Sequence, residues 1–284
     1  MDCSGALFVL VCVVVSLLLL WLVLRWALSG VLCECCRDMH GKHALVTGAT
    51  SGMGVHIAHR LAKAGANIVL LVRRPDAGKA LADELKTKYP QCGTISVVCA
   101  DLSDLKTVSD AIPEIKKALS SFEQGEPKLH LLVNNAGVLL PPTKETAQGL
   151  EPHFGVNYLA SFLLTSGLLP CLRAAGPDAR VVCVSSLTYK VALLFLGGIK
   201  ESLFTHKSIA EQGKQAPVPL LRYAHSKLCV VLFVLALGRK ESSLGTGVRA
   251  FAVDPGVALT SITRYMPRII EKIWLALFVI ICYK

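Results

Sequence analysis

Apolar and polar positions along the chain fall into a charge-free opening stretch and then an alternation of short β-type runs with helical ones. HALVTG predicts a first strand, VHIAHRLAKAG a helix closing on Gly65, ANIVLLV a second strand and ADELKTKY a helix. TISVVCADL, KLHLLVNNAG, ARVVCVSS and GVRAFAVDPG predict four more strands. They are separated by helices through VSDAIPEIKKAL, around Gly155 to Leu172, and through LLRYAHSKLCVVLF. Six β-type runs spaced by helices predict an α/β fold: a Rossmann-type, doubly wound parallel sheet with helices on both faces. The segment from Leu187 to Arg222 breaks this rhythm with Gly197, Gly198, Pro217 and Pro219, and reads as an inserted loop or a small helical subdomain.

Cys3 to Leu24 carry no charge and are rich in Leu and Val. As a helix rising about 1.5 Å per residue, this stretch reaches about 33 Å, enough to cross a bilayer. A cleaved signal peptide is the rival, but Asp2 stands where its basic region would be and the apolar run exceeds the usual ~7–15 residues. A retained single-pass anchor over residues 1–28 is therefore expected, then a Cys-rich juxtamembrane stretch over 29–40 and one large domain over 41–284. Asp2 precedes the apolar run while Arg25, Arg37 and Lys42 follow it, which places the domain on the cytosolic side. Trp21 and Trp26 suit the interface.

The net charge of +10 asks for anionic partners, but the basic residues are scattered and no Lys/Arg run is interleaved with aromatics. That pattern excludes nucleic acid as the partner and leaves an anionic membrane face or a phosphate-bearing cofactor. Most of the eleven cysteines, Cys12, Cys99, Cys171, Cys183 and Cys229 among them, lie in apolar segments where a thiol packs as a small hydrophobe. Cys33, Cys35 and Cys36 are clustered near His40 and His43, yet no second pair completes a four-ligand zinc set. Reduced thiols or juxtamembrane palmitoylation explain them instead, and no metal is expected.

Three stretches carry candidate chemistry. In LVTGATSGMG, Gly48, Gly52 and Gly54 fall between a strand and a helix, where the backbone can approach a pyrophosphate at the helix N-terminus. Their spacing is not the usual GxGxxG. The second strand ends LLVRR, so Val72 takes the place where an NAD enzyme carries an acid for the ribose 2′-hydroxyl. Arg73 and Arg74 follow and can grip a 2′-phosphate, which selects NADP. Tyr223 and Lys227 stand four positions apart, on one helix face. A free Tyr, with a pKa of about 10, is a sluggish proton shuttle at neutral pH, and the lysine charge is expected to depress it. His225 and Ser226 read as helix surface or packing, and His56, His59 and His153 as structural.

Together these pieces resemble the short-chain dehydrogenase/reductase family over roughly residues 40 to 262. The family's TGxxxGxG is similar to Thr47–Gly54, which brings in Thr47, Ser51 and Met53 beside the glycines. NNAG is Asn134, Asn135, Ala136 and Gly137, CADL supplies Asp101 and Leu102, and YxxxK is Tyr223 and Lys227. Asn157 in GVNYLAS and the PGxxxT segment with Pro255, Gly256, Val257 and Thr260 complete the set. The chain most resembles the membrane-anchored retinol dehydrogenase branch, with the endoplasmic reticulum as the implied membrane.

The resemblance implies an enzyme that interconverts a hydrophobic carbonyl and alcohol (retinoid, steroid or fatty aldehyde) by hydride transfer with NADP. Ser186 would polarise the carbonyl, Asn157 would position a water that relays protons through Lys227, and Lys227 would also hold the nicotinamide ribose. Ser185 would point the other way if the strand persists. The apolar stripe of KLCVVLFVLALG suits a core or a subunit contact in a homo-oligomer. Where the family adds further elements after PGxxxT, this chain has RIIEKIWLALFVIICYK, an apolar run too short to span a bilayer and expected to lie at the interface or cover a sheet edge. A shortened chain that binds cofactor but serves as a silent membrane scaffold is the alternative; epimerisation or dehydration on the same fold is a third.

Overall fold

The computed structural model describes residues 3–28, 37–123, 125–195, 219–256, 261–265 and 272. They belong to two compact units, one holding the N-terminal helix and the other Cys36–Gly256 with Thr260–Tyr265. In the first, α1 (Cys3–Leu28) runs for 26 residues, four beyond the charge-free stretch. At about 1.5 Å per residue it is about 39 Å long, and its intrahelical bonds satisfy the backbone without water. Phe8, Val9, Leu17, Leu18 and Leu19 all project outward. Such an apolar surface is costly in water and favourable in a hydrocarbon layer about 30 Å thick.

The second unit is built on a six-stranded parallel sheet: β1 (His43–Thr47), β2 (Asn67–Val72), β3 (Ile95–Cys99), β4 (Leu131–Asn134), β5 (Arg180–Val184) and β6 (Arg249–Val253). The strand order is β3-β2-β1-β4-β5-β6. Central β1 is buried along its whole length and pairs Leu45 with Val69 on one side and with Leu132 on the other. Alternate strand residues feed opposite layers. Leu45, Val69 and Leu71 pack with Val108, Ile115, Leu119, Leu164 and Leu168 of α4 (Leu105–Phe122) and α5 (Ala160–Ala174). Ala44, Val46, Ile68 and Leu70 pack with Ala58, Leu61, Leu81 and Leu85 of α2 (Met53–Lys63) and α3 (Pro75–Lys88). Burial on both faces is why these strands read as unbroken apolar runs.

Three element boundaries differ from the sequence expectation. Helix α3 starts at Pro75, whose fixed φ and missing N–H suit a first helical position, so it takes in more than ADELKTKY. The helix expected from Gly155 opens as a π-helical turn, Phe154–Leu159, before continuing as α5. The segment expected as an inserted loop or small helical subdomain is helical at both described ends, and its far bound moves: α6 (Tyr189–Phe195) lies at its start and α7 (Pro219–Ser243) begins before Arg222. Residues 196–218 lie outside the described residues, as do Cys33, Cys35, Cys36 and the C-terminal apolar run except Lys272. Among the described residues, Phe154–Ala174 and Pro219–Ser243 are long and apolar enough to cross a membrane, but both are about half buried inside this unit and serve as its core helices.

Strands β1, β2 and β3 build outward in one direction and β4, β5 and β6 in the other, so the order reverses between β1 and β4. The crevice at the carboxyl ends of these two strands is where such sheets bind dinucleotides.

Candidate active site

The strand-to-helix turn after β1 enters this crevice. Gly48 (φ 66°) and Gly52 (φ 54°) adopt the left-handed backbone that favours glycine. A Cβ on Gly54 would lie 2.2 Å from the Gly48 carbonyl oxygen, so only glycine lets the first turn of α2 close on the strand. No side chain caps the start of α2 and its first turn carries no acid, which leaves N–H groups for an anion. Met53 opens the helix, and Ser51 is partly exposed on the turn. Gly54→Ala is expected to push the turn open, weakening dinucleotide binding at least tenfold by calorimetry and lowering the melting temperature.

The turn is stitched to the end of β4. Thr47 Oγ1 accepts from the backbone N–H groups of Asn135 (3.0 Å) and Ala136 (2.9 Å), and Asn135 Nδ2 donates to the Thr47 carbonyl at 3.0 Å. Thr47 and Asn135 therefore shape the crevice through backbone contacts. Arg73 and Arg74 lie exposed just past the buried end of β2, and Asp101 with Leu102 just past β3. Asp101 Oδ1 accepts from the N–H and hydroxyl of Ser103, which fixes that corner. Pro255 and Gly256 are exposed beyond β6, with the Gly256 N–H donated to Asp254 at 3.1 Å. Val257 and Thr260 lie outside the described residues.

Tyr223 and Lys227 project from α7 on one face, and both are buried. The Lys227 ammonium lies 5.6 Å from the Tyr223 ring centroid and donates to the Val184 carbonyl at 2.8 Å. Just past β5 the Ser pair divides: Ser185 donates to the Lys227 carbonyl at 3.1 Å, whereas the Ser186 hydroxyl lies close enough to the Tyr223 phenol to lower its proton affinity. A Cβ on Gly137 would stand 3.3 Å from Asn157 Oδ1 and 3.6 Å from Lys227 Nζ, so the NNAG end abuts the same cluster. Asn157 sits in the π-helical turn and is buried. Its Oδ1 accepts from the Val138 N–H at 2.7 Å, and its Nδ2 donates to the Val138 carbonyl and to Ser226 Oγ.

Two expectations are corrected. Ser226 is neither surface nor passive packing: it is buried, accepts from Asn157 Nδ2 at 3.0 Å and donates to the Tyr223 carbonyl at 2.7 Å, tying two candidate groups together. Its position next to Lys227 in the helix was the available signal, and only the fold supplies Asn157. The Tyr223 phenol is raised rather than depressed: burial dominates, the Ser186 hydrogen bond pulls it partly back, and Asp254 pushes it up further. Lys227 does not reverse this, because its own burial lowers it to about 8 and its ammonium is turned to Val184.

A dinucleotide crevice at the strand-order reversal, with a buried Tyr and Lys and a half-buried Ser beside its glycine-rich turn, defines the class as a nicotinamide-dependent oxidoreductase of carbonyls and alcohols. The family pattern described as short chain dehydrogenase matches residues 42–196. Over 263 residues the chain is 36% identical to retinol dehydrogenase 12 of Mus musculus, spanning 91% of this chain and 75% of that one. It is 34% identical over 226 residues to polyprenol dehydrogenase of Homo sapiens, across 78% of this chain and 62% of that one. A solved short-chain dehydrogenase from Sphingobium yanoikuyae in complex with NADPH has the same fold, with a TM-score of 0.58 at 21% identity over 79% of this chain and 74% of that one. The protein belongs to the short-chain dehydrogenase/reductase family, in its retinol dehydrogenase-like branch.

Proposed function

We propose that this chain is a membrane-anchored, NADP-dependent reductase and dehydrogenase of a lipophilic carbonyl and alcohol pair, working from the cytosolic face of the endoplasmic reticulum. The observation that carries the chemistry is the buried Tyr223 phenol with the Lys227 ammonium 5.6 Å from its ring centroid. When bound, the nicotinamide supplies or accepts the hydride.

The residues of the chain handle the proton and the orientation. Burial keeps Tyr223 protonated at neutral pH, so it is ready to give its proton to an alkoxide forming on the substrate oxygen. Ser186, at the same oxygen, orients the carbonyl and stabilises the developing charge. With a pKa of about 8, Lys227 can exchange a proton near neutral pH. Asn157 has its side chain spent on Val138 and Ser226, so it acts by fixing the turn that faces Lys227.

Lipophilic substrates are supported by the exposed apolar surface of α1 and by relatives named for retinol and polyprenol. The preference for NADP rests on Val72 standing where an acid would select NAD, with Arg73 and Arg74 directly after it. Purified full-length protein in detergent, followed by NADPH absorbance across retinoid, steroid and fatty aldehydes, tests the activity. No turnover with intact NADPH binding would favour the silent scaffold. For the cofactor, Arg73→Ala with Arg74→Ala is expected to raise the Kd for NADPH about 30-fold or more while leaving NADH affinity nearly unchanged, since charged hydrogen bonds are worth about 1.5–3 kcal/mol each. Equal losses for both cofactors would remove the NADP assignment.

A further inference from the structure

Next to this site lies a buried pair that the proposed chemistry does not use. Glu151 and His153 are each 3% exposed. Glu151 Oε1 stands 2.6 Å from His153 Nδ1, and its Oε2 accepts from the Phe154 N–H at 2.8 Å, the first residue of the π-helical turn. On the other edge of the imidazole, Nε2 accepts the Leu140 N–H at 3.0 Å. The ring itself packs edge-on against Tyr223, with centroids 6.0 Å apart and an interplanar angle of 76°.

These contacts fix the tautomer. Leu140 brings a donor, so Nε2 must offer a lone pair and the proton must sit on Nδ1, facing Glu151. Each carboxylate oxygen then has one donor. Burial pushes Glu151 up, but the hydrogen bonds from His153 and Phe154 more than reverse it, so the carboxylate stays ionised. Leu140 has φ 51°, the only non-glycine positive φ among the described residues. A branched residue there costs on the order of 1–2 kcal/mol and persists where its surroundings enforce it. Here the enforcing contact is His153, and it lies on the stretch just past NNAG that Asn157 grips at Val138.

Resting on the reading of Tyr223 as proton donor, we propose that Glu151 and His153 form a positioning pair that holds the Tyr223 ring and the Leu140 bend in their working geometry. The pair touches no reacting atom. It acts through Tyr223 on one side and through the loop after NNAG on the other. A pair serving only general stability would aim its bonds into the core clusters; this one aims them at the strained Leu140 backbone and at the start of the π-helical turn, while its ring packs against the candidate proton donor.

The test uses full-length protein in detergent, NADPH, and all-trans-retinal as the carbonyl probe. Glu151→Gln keeps shape but offers one acceptor where two donors converge, so either Phe154 or the tautomer loses its bond. His153→Ala removes the Leu140 acceptor, and His153→Gln places an amide oxygen near the lost Nε2. Expected are a fall in kcat of about 10²-fold for Glu151→Gln and His153→Ala, the cost of a displacement on the order of 1 Å, with the Kd for NADPH within about twofold. His153→Gln is expected to recover about tenfold of this. Amide exchange at Leu140 in cofactor-free protein should quicken at least tenfold in His153→Ala and slow again in His153→Gln, whatever the probe does. Unchanged kcat and exchange, loss of NADPH affinity in step with kcat, or no recovery by Gln would each overturn the pair's role. Tyr223→Phe run alongside separates the two failures: full turnover in that variant sinks the proton-donor reading and this inference with it, whereas lost turnover beside normal Glu151 and His153 variants sinks only the pair.

Discussion

Tyr223→Phe is expected to lower kcat for carbonyl reduction about 10³-fold or more while leaving the Kd for NADPH within about threefold. The phenol is buried, kept protonated by that burial, and faces the Ser186 hydroxyl, so removing one oxygen deletes the proton donor without altering the ring packing against His153. General acid catalysis by a positioned side chain contributes about 10²–10⁴-fold, and loss of the Ser186 partner adds to that. Single-turnover kinetics with saturating NADPH read the chemical step, and calorimetry reads the cofactor. A variant with wild-type kcat would show that the proton comes from elsewhere.

The same residues show what could be read before any coordinates. The strands were legible because a parallel sheet covered on both faces needs apolar residues at every position, as in NIVLLV, and such runs have few other destinations. Between Ser185 and Ser186 the sequence favoured Ser186 only through the family resemblance; β5 ends at Val184, and the Ser185 hydroxyl is engaged by the Lys227 carbonyl. Tertiary convergence was not legible: Asn157 meets Ser226 across 69 positions, and His153 meets Tyr223 from a different helix. The Tyr223 proton affinity was misjudged for a related reason. Helical spacing brings Lys227 near, but burial, which spacing cannot report, outweighs that charge and weakens it at its source.

Lys227→Met is expected to abolish turnover and yet to stabilise the fold at neutral pH. The folded-state pKa of Lys227 is lowered from 10.5 to about 8 by burial. At about 1.4 kcal/mol per unit, that difference costs the wild-type fold about 3 kcal/mol wherever both folded and unfolded chains carry the proton, that is, below about pH 8. Between about pH 8 and 10.5 the unfolded chain holds more protons than the folded one, so wild-type stability rises with pH across that window and the penalty is gone above it. Methionine fills similar volume without a charge, but it leaves the Val184 carbonyl, the acceptor at 2.8 Å, unpaired at a cost of about 1–2 kcal/mol. The two contributions set a crossing: the Met variant is more stable by about 1–2 kcal/mol at pH 7, and wild type is the more stable above about pH 10.5. Urea unfolding of full-length protein in detergent at pH 7, 9 and 10.5 follows the crossing, and a stability difference independent of pH would mean that the ammonium is not destabilised by its burial. A site that retains a costly buried cation against this gradient must use its charge, and the measure of that use is the turnover lost in the more stable variant.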